Sequence, residues 1–212
     1  MKNSEIVSLS KPNLETPIFV EGLSSFDGLG QRVTQMFIEH SKAEKFAELY
    51  SPYFPDFITA GDDGLCYLPR YEFYTNDNFH PNTILMTGDV QPLPEYTPAY
   101  YDVFGTAFNF AVECGCRRFV TFGNFLSRKL EREIYVTSTS STLSKTLVEK
   151  LGGKLFSKGR IDGLIGMILG LARLHNLEGI CILGASTEGT PFETMASPVF
   201  DYLLKILTFE EK

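Results

Sequence analysis

The chain has 212 residues, 43% of them hydrophobic and 21% charged, with a formal net charge of -7. That is enough chain for a full core, and the composition is that of a folded globular protein rather than a disordered one. The acidic balance and the lack of a basic run argue against a nucleic-acid partner. The longest apolar segment, Leu164 to Leu171, is far too short to span a bilayer.

Met1 to Pro17 is polar and charged, so no apolar leader is read there, and residues 1–16 are expected to form a mobile segment ahead of a single α/β domain covering 1–212. The first apolar run, IFVEG (Ile18–Gly22), opens a set of similar ones: TILMTGD (83–89), RFVTFGN (118–124), EIYVTST (133–139) and ICILGAS (180–186). Each is near-continuously apolar and ends in a small or polar residue, the pattern of strands buried on both faces. Amphipathic segments alternate with them. Asp27 is placed to cap a helix burying Val33, Met36, Phe37, Phe46 and Leu49, with a break near Ser41. Pro98 starts a second helix that carries Val103, Phe104, Ala107, Phe108 and Ala111 and stops at Gly115. Ser140 or Ser141 caps a third, with Leu143, Leu147 and Leu151, ended by Gly152-Gly153. The alternation predicts a three-layer α/β/α fold around a mostly parallel mixed sheet. Residues 57–76 break it: Asp63-Gly64 between strand-like runs is a hairpin signal, an antiparallel excursion at the sheet edge. Gly88 to Tyr101, rich in Pro and Tyr, reads as a surface loop.

The stretch around Gly22 to Gly30 resembles a phosphate cradle but fails each test. There is no GxxxxGK[ST], Val33 stands where a GxGxxG motif needs its last Gly, and Gly22-Leu23-Ser24-Ser25-Phe26 lacks the second Gly of a nucleophile elbow. His40, His80 and His175 are scattered without a His or Cys at ligand spacing, and Asp62-Asp63 reads as a turn, so no metal site is expected. Cys114 and Cys116 are too close for a CxxC pattern, while Cys66 and Cys181 read as small buried hydrophobes; a reducing cytoplasm is the simplest compartment. What remains is a diffuse polar set at the ends of the apolar runs: Asp89 and Gln91, Asn124, Thr137 with Ser138 and Thr139, and Ser186 with Thr187 and Glu188. In open α/β sheets the carboxyl ends of strands line the ligand crevice, so these residues, with Ser24, Ser25 and Arg160, are the candidate small-molecule site, weighed against plain capping roles. Tyr96, Tyr100 and Tyr101 are candidate interface residues, weighed against packing on the protein's own surface. No catalytic residue and no cofactor is assigned.

The most distinctive segment is GRIDGLIGMILGLARLHNLEGICILGAS, 159–186. Gly163, Gly166 and Gly170 share nearly one helical face, each at a cost of about 1 kcal/mol relative to Ala, which close approach of a neighbouring element would offset. The leucines and isoleucines around them predict a buried helix, and Arg160 and Asp162 stand at its start, placed to pair. With PIFVEGLSSFDGLGQ and LMTGDVQP, this segment resembles the proteasome assembly chaperone type 2 family in its archaeal and bacterial branch, over about Pro17 to Leu207. The resemblance implies a fold similar to purine nucleoside phosphorylase-like and hydrolase-like domains, self-association into a ring-like or cage-like homo-oligomer, and a role as a protein-interaction factor rather than an enzyme, with proteasome α-subunits as partners. Some relatives carry an ATP-grasp carboxylate–amine ligase label, which together with nucleoside- or nucleotide-like binding in the strand-end crevice forms the alternative. Members that dock on the α-ring resemble its activators in ending hydrophobic–Tyr–any residue. Here Glu210 and Glu211 stand in the first two of those places, which puts tail docking in question.

Overall fold

The computed structural model describes residues 1–23, 28–88, 90–92, 97–127, 133–187 and 191–210. In chain order the elements are β1 (Glu5–Ser8), β2 (Ile18–Glu21), α1 (Leu29–Ser41), β3 (Glu44–Tyr50), β4 (Thr59–Ala60), β5 (Cys66–Tyr67), β6 (Tyr71–Thr75), β7 (Thr83–Thr87), α2 (Thr97–Glu113), β8 (Arg118–Leu126), β9 (Ile134–Ser138), α3 (Ser141–Leu151), β10 (Lys154–Leu155), α4 (Gly163–Leu174), β11 (Glu178–Ser186), a 3-10 turn at Phe192–Met195, and α5 (Ala196–Leu207).

One sheet runs in the order β1-β3-β6-β7-β2-β8-β11-β9-β10. Its centre, β7-β2-β8-β11, is parallel. The flanks turn antiparallel: β6 against β7, β3 against β6, β1 against β3 on one side, and β9 against β11 on the other. Strand alternation assigns each face its layer. Ile18, Val20, Val120 and Ile182 pack with α1, α3 and α5, while Phe19, Phe119 and Ile84 pack with α2 and α4. The result is the α/β/α sandwich expected, with the β4–β5 hairpin as a separate two-stranded piece.

Local chemistry sets the boundaries. Ser140 is the N-cap of α3, its Oγ accepting from the Leu143 N–H at 3.4 Å, and Gly152 closes the helix with φ of 85°. In the hairpin, Asp63 Oδ1 accepts from the Leu65 N–H at 3.0 Å and Gly64 takes φ of 77°, a conformation that favours glycine.

Four expectations are corrected. The cap position of α1 is Gly28, in a left-handed conformation with no side-chain capping bond; Asp27 lies outside the described residues. That helix ends at Ser41, followed by left-handed Lys42, so Phe46 and Leu49 belong to β3, where they fill the α2-side core. The N-terminal segment is no free tail, because Glu5–Ser8 pairs with β3. And Cys66 is exposed on the hairpin, where a two-residue strand has nothing packed over it, whereas Cys181 is buried.

Candidate functional site

At the carboxyl ends of β2, β8 and β11, a cavity of about 310 Å³ lies against the first turn of α4. Its lining includes Leu23, Gln91, Asn124 and Phe125 from the strand ends and Arg160 to Ile165 from the entry to α4. Three of the residues picked from sequence, Gln91, Asn124 and Arg160, therefore share one crevice. Arg160 Nε pairs with Asp162 Oδ1 at 2.6 Å, both side chains largely in solvent. Asn124 Oδ1 is buried and accepts no hydrogen bond among the described residues. Ser186 Oγ, at the end of β11, is likewise buried and unbonded, and Thr187 follows it.

The remaining candidates do not join them. Thr137, Ser138 and Thr139 lie at the opposite edge, because β9 runs antiparallel to β11 and Ser138 stands opposite Ile180 near the start of that strand. Their polar groups are used locally: the Ser138 hydroxyl donates to the Ser140 carbonyl at 2.6 Å, and Thr139 Oγ1 donates to the Leu177 carbonyl at 3.2 Å and accepts from the Gly179 N–H at 3.0 Å. Tyr100 sits in the first part of α2 rather than a loop, its ring 5.9 Å from that of Phe104 on the core; Tyr101 is 63% exposed. Ser24, Ser25, Asp89, Tyr96 and Glu188 lie outside the described residues.

Sequence reasoning missed Glu21. It ends β2 on the face toward α2 and α4 and is fully buried. Oε1 accepts from the Leu23 N–H at 2.9 Å, while Oε2 has no partner among the described residues. Its rung across the sheet runs Met86, Glu21, Thr121 and Cys181. Tyr71 Oη, on the same side of the sheet, is also buried without a partner among the described residues. Burial without a counter-charge penalises the ionised form and pushes the Glu21 carboxyl up to about 8, against which the one backbone hydrogen bond works only in part. The available signal was a carboxylate inside a run otherwise buried on both faces.

A second polar group is structural. On the face of β3 and β6 away from α2, Arg70 bridges Glu48 (3.0 Å) and Glu72 (2.8 Å), and Lys45 bonds both carboxylates. Tyr50 and Tyr74 donate to Glu48 and Glu72 at 2.8 and 2.7 Å, and Arg70 lies over the Tyr67 ring at 4.9 Å. With every carboxylate bonded, this network ties the hairpin to the sheet.

The glycine helix departs from expectation. Only Leu164, Ile168 and Ala172 of α4 are buried. At Gly166 a Cβ would meet the Ile161 carbonyl oxygen at 2.3 Å, so the close approach comes from the helix's own entry segment. At Gly170 a Cβ would meet nothing within 4 Å among the described residues.

Known proteins share the sequence and the fold of this chain. The model of the PAC2 family covers residues 19–211. An uncharacterized protein of Methanocaldococcus jannaschii is 30% identical over 199 residues, 93% of this chain and 76% of its own length. Among solved structures, Pyrococcus furiosus PbaB, described as an archaeal proteasome activator, superposes with a TM-score of 0.88 at 30% identity, covering 100% of this chain and 92% of PbaB. PbaA of the same organism, described as an archaeal homolog of proteasome-assembly chaperone, superposes with a TM-score of 0.80 at 21% identity, covering 100% of this chain and 84% of PbaA, a likeness of fold. With nearly the whole chain matched by the family model and by a 30%-identical relative, this protein is a member of the PAC2 family.

Proposed function

We propose that this protein is a self-associating, non-catalytic interaction factor that acts on the proteasome, as an activator or assembly chaperone, in the cytoplasm. The observation that carries this reading is the full-length likeness to PbaB at 30% identity. Four free cysteines agree with a reducing compartment. An oligomer repeats each weak contact and so multiplies affinity through effective concentration. The test is retention of purified protein on immobilised proteasome α-subunits and on mature 20S particles, with peptide hydrolysis by the 20S particle as a second readout. Retention or stimulation at micromolar concentration is expected. Absence of both on either form overturns the reading.

A second reading follows from the strand-end crevice, where the buried, unbonded Asn124 oxygen lies beside Gln91 and Arg160. Such a group accepts a hydrogen bond from a small polar ligand. Thermal-shift screening of nucleosides, nucleotides and amino acids tests it. A hit lost in Asn124→Leu supports the site, and a flat screen removes it.

A further inference from the structure

We propose that copies of this chain associate head to tail, the β4–β5 hairpin of one copy seated over the groove along α4 of the next. This rests on the self-association reading above and names its contact faces.

The hairpin is an apolar knob. Phe57, Ile58, Leu65 and Leu68 are 46–58% exposed, and its two short strands pair with each other rather than with the main sheet. It is also acidic: Asp56, Asp62 and Asp63 fall between residues 56 and 68, with no Lys or Arg among them.

The groove has the complementary form. A depression of about 520 Å³ runs along α4, lined by Tyr101, Ile161, Met167, Leu174 and the glycines 166 and 170. A second, of about 360 Å³, adjoins it across the same two glycines. Tyr101 and Leu174 are 63% and 74% exposed, and Gly170 faces open space. A helix that is apolar on nearly every side, GLIGMILGLARL, is left partly uncovered within one copy. Its margins are basic, with Lys158, Arg160 and Arg173 exposed against one acid, Asp162, in a chain of net charge -7.

Within one copy the two cannot meet. The hairpin borders α1, Gln31 and Gln35 included, on one face of the sheet, and α4 lies on the other. Knob and groove differ in shape and in sign of charge, so the contact is heterologous, and a heterologous contact that closes makes a ring.

The experiment is light scattering after size exclusion, at tens of micromolar, on the full chain and on Ile58→Asp, Leu65→Ser and Gly170→Leu. Each altered residue is exposed or faces open space, and circular dichroism verifies the fold. Wild type is expected to run as an oligomer and each variant to fall to, or close to, the 23.8 kDa single chain. Mixing Ile58→Asp with Gly170→Leu in equal amounts is expected to give a two-chain species, because one intact knob and one intact groove survive. A wild type that is itself monomeric overturns the self-association reading and this contact with it. A wild type that assembles, with hairpin and groove variants assembling equally well, overturns only this contact, as do variants that fall apart but yield no two-chain species on mixing.

Discussion

Replacing Glu21 by Gln should stabilise the protein, and by an amount that depends on pH. The folded carboxyl is held protonated up to about 8, whereas an ordinary glutamate ionises near 4.5. Between those values the unfolded chain has released the proton and the folded chain has kept it, so stability falls as pH rises through that window and levels off above it. At pH 7 the loss is roughly 3 kcal/mol, from about 1.4 kcal/mol per unit over about two and a half units. Gln keeps an oxygen to accept from the Leu23 N–H and carries no titratable proton. For a chain of this size the gain corresponds to about 6–12 °C in melting temperature. The assay is thermal or urea unfolding of both proteins at one protein concentration, at pH 4.5, 6, 7 and 8.5. The difference is expected to be small at pH 4.5, to grow through pH 7 and to flatten above 8. A gap that does not change with pH, or a variant less stable than wild type at pH 8.5, refutes the reasoning; it would mean that the Glu21 anion is compensated in the folded protein.

Other substitutions probe the packing. Gly22→Ala places a methyl 1.6 Å from Thr34 Oγ1 and 2.9 Å from the Phe122 ring, and should cost about 1–3 kcal/mol in urea unfolding. Gly166→Ala and Gly170→Ala should diverge: the first drives a methyl toward the Ile161 carbonyl and lowers the melting temperature, while the second, in open space, gains about 1 kcal/mol of helix propensity when measured in dilute solution. Arg70→Ala removes one of the two cations that hold Glu48 and Glu72, leaving Lys45 and the two tyrosine hydroxyls, and should cost about 1–2 kcal/mol at pH 7. Burial pulls the Glu72 carboxyl up, but hydrogen bonds from Tyr74, Lys45 and Arg70 outweigh it and hold it below its ordinary value. Its stabilisation is present above pH 4.5 and lost as pH falls through the lowered value, so the gap between Arg70→Ala and wild type should narrow in acid.

Much of the sandwich is readable from local pattern. The runs at 18–22, 83–89, 118–124 and 180–186 are near-continuously apolar because both faces of β2, β7, β8 and β11 are covered, and Ser140 and Gly152 bound α3 through their own backbone chemistry. Strand direction is not written in such patterns. EIYVTST has the same composition whether it runs with β11 or against it, and the antiparallel register removes Thr137 to Thr139 from the crevice that Asn124 and Gln91 share. The strand after α1 was equally hidden, because Phe46 and Leu49 stand three apart, the spacing of neighbours on a helix face, and the left-handed turn at Lys42 has no glycine or proline to mark it. Glu21 escaped notice because a polar residue at the end of an apolar run reads as the strand's exit to solvent, while β7 and β8 extend past it and keep it dry.

The helix α4 differs in kind, since there the composition and the single-copy structure disagree. GLIGMILGLARL carries one charged residue in twelve, and such a segment is stable where apolar surroundings meet it on most sides. Within one copy those surroundings reach Leu164, Ile168 and Ala172 and leave Leu174 and Gly170 uncovered. Glycine at 170 lowers the stability of the isolated helix, and none of the described residues of the same copy approaches closely enough to require it. A residue that weakens its own helix and leaves a groove beside it is explained when another surface enters that groove. The acidic, apolar hairpin on the far side of the same molecule has the size, the charge and the exposed side chains to do so, and the mixing of hairpin and groove variants decides whether it does.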